Sequence, residues 1–175
     1  MDAAHFIFAT FLGYIWCGTR FFLKSHAGRK RYNVLGALNA VSKKVSIYTN
    51  DTTMNALSVC VFLKQVFLEY YGKKIIIVLD NASYQRCKLV RRYARTLGIE
   101  LLFLPSYSPN LNLIERFWKY LKKEVLYSTL HFNYAIFKQQ IDDCIKNAFI
   151  KDKEKLETLL TCKFQSFKKV KLLPV

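Results

Sequence analysis

Residues Ile75-Ile76-Ile77-Val78-Leu79 form an unbroken apolar run that stops abruptly at Asp80. The run is too short for a helix and is rich in β-branched side chains, so it predicts a strand buried on both faces. Strands of that kind belong to parallel sheets covered by helices, which confines the chain to an α/β architecture. An acid directly after such a strand lies at the carboxyl edge of the sheet, where α/β folds place their ligands.

The remaining elements follow from periodicity and breakers. Residues 5–10 read as a strand following Asp2, and a second extended run includes residues 14–16. Residues 32–40 and 45–49 read as strands joined by the polar turn Ser42-Lys43-Lys44. From residue 55 to 71, Leu57, Val61, Val66 and Leu68 suit a mostly buried helix that stops at Gly72. Residues 84–97 form a basic amphipathic helix ending at Gly98, and residues 100–104 a short strand closed by Pro105. Helices are expected over residues 111–126 and 134–148, before a charged tail. Three strands close enough for an antiparallel meander are thus followed by alternating helices and strands. This is the order of a ribonuclease-H-like mixed sheet flanked by helices, with a domain over residues 1–150 and a charged C-terminal helix or tail over 151–175.

Charge narrows the partner. The 175 residues carry 28 Lys+Arg against 12 Asp+Glu, a formal charge of +16, while 52 % are hydrophobic. That apolar share excludes a disordered chain, and the excess of bases points to a polyanion. The most apolar stretch, residues 6–17, is shorter than the ~20 residues a membrane span needs. No basic leader opens the sequence, so a cytoplasmic protein acting on nucleic acid is expected. Cys17, Cys60, Cys87, Cys144 and Cys162 are scattered without a Cys-x-x-Cys pair, as expected of reduced thiols rather than a disulfide or zinc framework.

Three of the few acids stand at element ends. Asp80 follows the buried strand, although Asp80-Asn81 equally suits a turn that caps the next helix. Glu115 falls in the first turn of a helix whose Ile114, Trp118, Leu121 and Val125 recur at core spacing. Asn112 and Glu115, three apart, also fit a capping pattern. Asp2 starts the first strand and alternatively is a solvated terminal residue. In the inferred topology the first and fourth strands are adjacent and parallel, which sets Asp2 beside Asp80. Carboxylates ~5 Å apart repel by about 3 kcal/mol per pair at an effective dielectric of ~20, and a hard divalent cation, Mg²⁺ or Mn²⁺, removes that cost. Metal-bound carboxylates of this type serve phosphodiester chemistry.

The segment from Leu104 to Lys122, with Ser108-Pro109-Asn110-Leu111-Asn112-Leu113-Ile114-Glu115-Arg116-Phe117-Trp118 at its centre, resembles the final-acid signature of DDE-superfamily transposases. It is closest to the insertion-sequence branch related to mariner elements. Val78-Leu79-Asp80-Asn81-Ala82 is similar to the second-acid motif of that family and Asp2-Ala3-Ala4-His5-Phe6 to the first, with 34 residues between Asp80 and Glu115. The resemblance implies that Asp2, Asp80 and Glu115 are catalytic residues holding two Mg²⁺ or Mn²⁺ ions. It implies DNA strand cleavage at the element's ends and strand transfer into a target, at a TA dinucleotide, by a homodimer. Gln85 stands where many relatives have His, and Leu113 where many have Pro. Full-length relatives also carry an amino-terminal helix-turn-helix region, whereas this sequence opens at the first acid. A separately encoded helix-turn-helix part is therefore one expected partner. The rival reading is a non-catalytic DNA-binding fragment or transposition regulator, and a third is a structure-specific nuclease.

Candidate DNA contacts are Lys24, Arg29, Lys30 and Arg31 in a basic turn, Arg86 after the second acid, Tyr107 before the third, and Lys119 and Lys122 beyond it. A solvated face explains such residues equally well one by one, and contacts of this kind bind phosphate without reading sequence.

Overall fold

The computed structural model describes residues 1–8, 18–19, 30–105, 111–161 and 163–164. The extended run at 14–16 lies outside them. The first three strands, β1 (Asp2–Ile7), β2 (Arg31–Leu38) and β3 (Val45–Asn50), form the antiparallel meander that the sequence predicts. Asp2 lies opposite Gly36 and Ile7 opposite Arg31, while Leu38 pairs with Val45 across the second hairpin. Asn39 sets that hairpin by accepting the backbone N–H groups of Val41 and Ser42, each at 2.9 Å. Its side chain turns the backbone locally, as Asx turns do.

Helix α1 (Ala56–Glu69) follows, capped by Asn55, whose side chain accepts the Ser58 N–H at 3.0 Å. Strand β4 (Ile75–Leu79) pairs in parallel with β5 (Ile99–Phe103), with α2 (Lys88–Thr96) as the crossover between them. Three further helices, α3 (Leu113–Leu126), α4 (Tyr134–Lys151) and α5 (Lys153–Leu159), complete the described chain. A hydrogen bond from the Met1 amino group to the Val78 carbonyl, 2.6 Å long, sets the start of β1 beside β4. Beyond this bond the ladders separate around a cleft of about 730 Å³ with Ala37, Ile75 and Ile77 in its walls.

Alternation along β1 and β2 divides the core in two. Ala4, Phe6, Tyr32 and Val34 face α3, α4 and α5, packing with Phe117, Leu121, Phe137 and Ile141. Leu35 points the other way and joins Val59, Phe62, Leu63, Ile77, Leu79 and Val90 between the strands and α1 and α2. Leu156 and Leu160 are buried in the first of these clusters. The result is a three-stranded antiparallel and a two-stranded parallel ladder with α1 and α2 on one side and α3, α4 and α5 on the other side of β1 and β2, in keeping with the ribonuclease-H-like order.

Three expectations are corrected. Helix α1 buries Val59, Phe62, Leu63 and Val66, whereas Leu57, Val61 and Leu68 are exposed. Both sets have helical spacing, and the stripe containing Phe62 has the larger payload to bury. Strand β4 is not buried on both faces: Ile77 and Leu79 are inside, but Ile76 is 50 % exposed. The cause is that α3, α4 and α5 pack with β1 and β2, so the second face of β4 is left open among the described residues. Helix α2 also starts at Lys88 rather than 84, because a turn closed by Gln85 and Arg86 N–H groups on the Ala82 carbonyl precedes it. Cys60, Cys87 and Cys144 are free thiols. Among the described residues no helix is long and apolar enough to cross a membrane.

Candidate active site

Each of the three singled-out acids is delivered by a different element. Asp80 is the first residue past β4, Asp2 opens β1, and Glu115 lies in the first turn of α3. The Met1–Val78 bond aligns β1 with the end of β4, and the amino end of α3 lies over both. One carboxylate oxygen from each of Asp2, Asp80 and Glu115 falls within 4.8 Å of the others. No Lys or Arg among the described residues forms an ion pair with any of them, although seven other acids have a cationic or phenolic partner.

This crowding changes acidity. Burial, followed by the charges of Asp80 and Asp2, pushes the Glu115 carboxyl up to about 7, and a hydrogen bond to Asp80 favours its protonated form further. Only Lys119, one turn along α3, opposes the shift. Asp2 is also raised, chiefly by burial, with Asp80 adding to the effect. The amino end of a helix ordinarily favours a carboxylate, so repulsion and desolvation outweigh the helix dipole at Glu115.

The donor set fits a divalent cation. All donors are hard carboxylate oxygens, which suit Mg²⁺ or Mn²⁺. Oxygens on opposite sides of one octahedral Mg²⁺ lie about 4.2 Å apart, so a 4.8 Å spread closes with a small rotamer change.

Residues around the acids were not all legible beforehand. Asn112 occupies the cap position of α3 but its side chain does not cap the helix. Its amide instead donates to Asp80 Oδ1 at 2.9 Å and to the Met1 carbonyl at 3.3 Å. The capping pattern thus names the right residue for the wrong bond. Nor does Asp80 cap α2, which begins eight residues later without a side-chain cap. Gln85, in the turn after Asp80, is fully buried and neither end of its amide has a hydrogen-bond partner. Trp118, read from spacing as a core residue, is indeed buried with Ile114, Leu121 and Val125.

The candidate DNA contacts divide. Lys119 is exposed on the same helix face as Glu115, Lys122 is half-buried one turn further, and Arg86 is exposed in the turn after Asp80. Arg31 pairs with Ile7, at the far end of β1 from Asp2, about 17 Å along the strand. Lys30 lies over the Tyr134 ring, 5.4 Å from its centroid. Lys24, Arg29 and Tyr107 lie outside the described residues.

Comparison with known proteins agrees with this layout. The pattern of the DDE superfamily endonucleases matches residues 1–138. No curated protein matches the sequence significantly. Among solved structures, the chain is similar to a Mos1 transposase paired-end complex with left transposon end, at 18 % identity and a TM-score of 0.64 over 91 % of this chain and 49 % of that one. It is also similar to the Mos1 transposase catalytic domain with raltegravir and Mg, at 16 % identity and a TM-score of 0.56 over 95 % of this chain and 84 % of that one. The chain spans about half the length of the transposase in the paired-end complex. At these identities the likeness defines the fold, which is that of a ribonuclease-H-like transposase catalytic domain. With a family match over most of its length and across Asp2, Asp80 and Glu115, the chain belongs to the DDE superfamily endonucleases.

Proposed function

We propose that the chain is a transposase catalytic domain performing metal-dependent DNA strand cleavage and strand transfer, with Asp2, Asp80 and Glu115 as its catalytic residues. The observation that carries this reading is the convergence of those three acids within 4.8 Å, with no ion pair to a Lys or Arg among the described residues. Asp2 and Asp80 are the principal ligands and Glu115 completes the set. Bound there, two Mg²⁺ or Mn²⁺ ions supply activation of an attacking oxygen and stabilisation of the leaving oxygen.

The protein's own groups bind and orient. Asn112 fixes one Asp80 oxygen and leaves the other available. Glu115, once deprotonated, contributes its carboxylate from the helix side, and Lys119 beside it meets a backbone phosphate. Arg86 and Lys122 extend that basic track, with Lys24, Arg29, Lys30, Arg31 and Tyr107 as further DNA contacts. Phosphate contacts of this type position the duplex rather than specify it. Element ends and a TA target as substrates, homodimer assembly and a separate helix-turn-helix part follow from the family resemblance. The Mos1 structures, which include complexes with transposon-end DNA and with Mn, support the DNA and metal parts of this reading.

A second reading, a non-catalytic DNA-binding fragment or transposition regulator, rests on the excess of 28 basic over 12 acidic residues alone. Labelled duplex oligonucleotides incubated with Mn²⁺ separate the two. Nicking by the wild type that is lost in Asp80→Asn and Glu115→Gln supports the enzyme. Equal nicking by wild type and Glu115→Gln rejects the role of Glu115, and DNA binding without any nicking favours the fragment.

A further inference from the structure

Asn112, Glu115 and Trp118 are spaced three residues apart at the start of α3, so they form one stripe along a single helix face. Each member meets the acid cluster. Asn112 donates to Asp80 at 2.9 Å, and Glu115 is itself one of the three acids. Trp118 reaches the third acid through a notch in the sheet. Gly36 lies directly opposite Asp2 in the β1–β2 ladder, and paired residues project on the same face. A side chain at Gly36 would put Cβ 2.6 Å from Trp118 Cη2 and 2.8 Å from Cζ2. The indole therefore occupies the space that a side chain beside Asp2 would take.

Trp118 is 4 % exposed, yet its Nε1–H has no hydrogen-bond partner. A buried donor left unpaired is unfavourable, and a core with no use for the donor is filled as well by phenylalanine, which this chain uses 14 times. The Asp2 carboxylate is the acceptor this N–H faces, at a geometry short of a formed hydrogen bond, and its proximity favours the ionised acid.

We propose that Asn112 and Trp118 are positioning residues that hold Asp80 and Asp2 in register for cation binding, with Gly36 as the notch that seats the indole. The Trp118 N–H takes one Asp2 oxygen when a cation draws the carboxylate into place, leaving the other oxygen for the ion. Asn112 does the same for Asp80 through a bond already formed. The helix that carries the third acid thereby sets the other two. This inference rests on the metal-binding reading given above.

The test is Mn²⁺ affinity of the whole chain, read from the electron paramagnetic resonance of free Mn²⁺. Trp118 emission in a Trp16→Phe background gives a second signal. Outer-shell partners of metal ligands typically change affinity by about 10–100-fold. Replacing Trp118 by the isosteric 3-benzothienylalanine, which keeps the shape and removes only the N–H, is expected to weaken Mn²⁺ binding by about tenfold or more. Asn112→Ala is expected to do likewise, and Gly36→Ala to reproduce the loss with the tryptophan intact. In the Trp16→Phe background, Mn²⁺ should change Trp118 emission and so give an affinity independent of the resonance signal. Unchanged Mn²⁺ affinity in the isostere and in Asn112→Ala overturns the positioning roles while leaving the metal site standing. Parental Mn²⁺ binding that survives Asp80→Asn overturns the metal site and this inference with it.

Discussion

Neutralising one carboxylate should stabilise the cation-free protein, and Glu115→Gln is the cleanest way to do it. Charges 4.8 Å apart repel by about 3 kcal/mol at an effective dielectric of ~20. The acidity of Glu115 gives a similar figure. Its rise from an ordinary 4.5 to about 7 corresponds to about 3 kcal/mol at ~1.36 kcal/mol per unit. Glu115 is partly open to solvent, and screening brings the usable value to about 2 kcal/mol. The sign follows from proton uptake on folding. Below the unfolded value both states are protonated and the site costs nothing. As pH rises from 4.5 through about 7, the unfolded chain ionises first and stability falls. Glu115→Gln should therefore raise the melting temperature by about 4–8 °C near pH 8, at ~2–4 °C per kcal/mol for a domain of this size. Near pH 5 the gain should be small, since the folded carboxyl is still protonated. Thermal melts in chelator across that range make the measurement. A gain equal at both ends, or a loss near pH 8, refutes the claim that Glu115 sits in a repulsive cluster.

Three other outcomes follow. Millimolar Mn²⁺ or Mg²⁺ should raise the wild-type melting temperature near pH 8, by RT ln(1 + [L]/Kd), and Asp80→Asn should abolish the increment; an equal shift in both proteins places the ion elsewhere. Asn55→Ala should cost about 1 kcal/mol by removing the Ser58 cap of α1, checked by urea unfolding. Lys119→Ala together with Arg86→Ala should weaken DNA binding and lower its salt slope by about 2, as expected if each side chain meets one phosphate.

What could be read beforehand was whatever a single element determines. Asp80 was visible because an apolar run ends on it. Ile114, Trp118, Leu121 and Val125 recur at helical spacing, and all four are buried. Apart from the nearness of Asp2 to Asp80, which follows from the strand order, the properties that depend on a second element were hidden. Helix α1 offers two apolar stripes, and only its packing against Leu35 and Ile77 decides which is used. Strand β4 reads as doubly covered, but the helices meant for its second face pack with β1 and β2. Asn112 looks like a cap because local spacing cannot reveal that Asp80, 32 residues earlier, competes for its amide. The notch at Gly36 depends on the β1–β2 register, which puts it opposite Asp2, and on the height at which α3 crosses.

The distribution of acids argues for a cation more strongly than the cluster alone. With 28 basic residues for 12 acids, a carboxylate on this chain finds a positive or phenolic partner easily. Glu69 has Lys44, Asp51 has Lys138, and Glu124 has Lys151 and Lys155. Asp142 and Asp152 accept from Tyr32 and Tyr120. Asp2, Asp80 and Glu115 form no ion pair with a Lys or Arg among the described residues, yet they lie half-buried together with amide and indole donors around them. A lysine placed among them would neutralise the repulsion permanently and occupy the position a metal needs. Asn112 and Trp118 orient the acids without neutralising them, so the negative charge stays available. The surface supplies attraction for a polyanion, while this pocket keeps an uncompensated negative charge for a cation. A divalent ion is the one species that reconciles the two, because it binds the carboxylates and a phosphate at the same time.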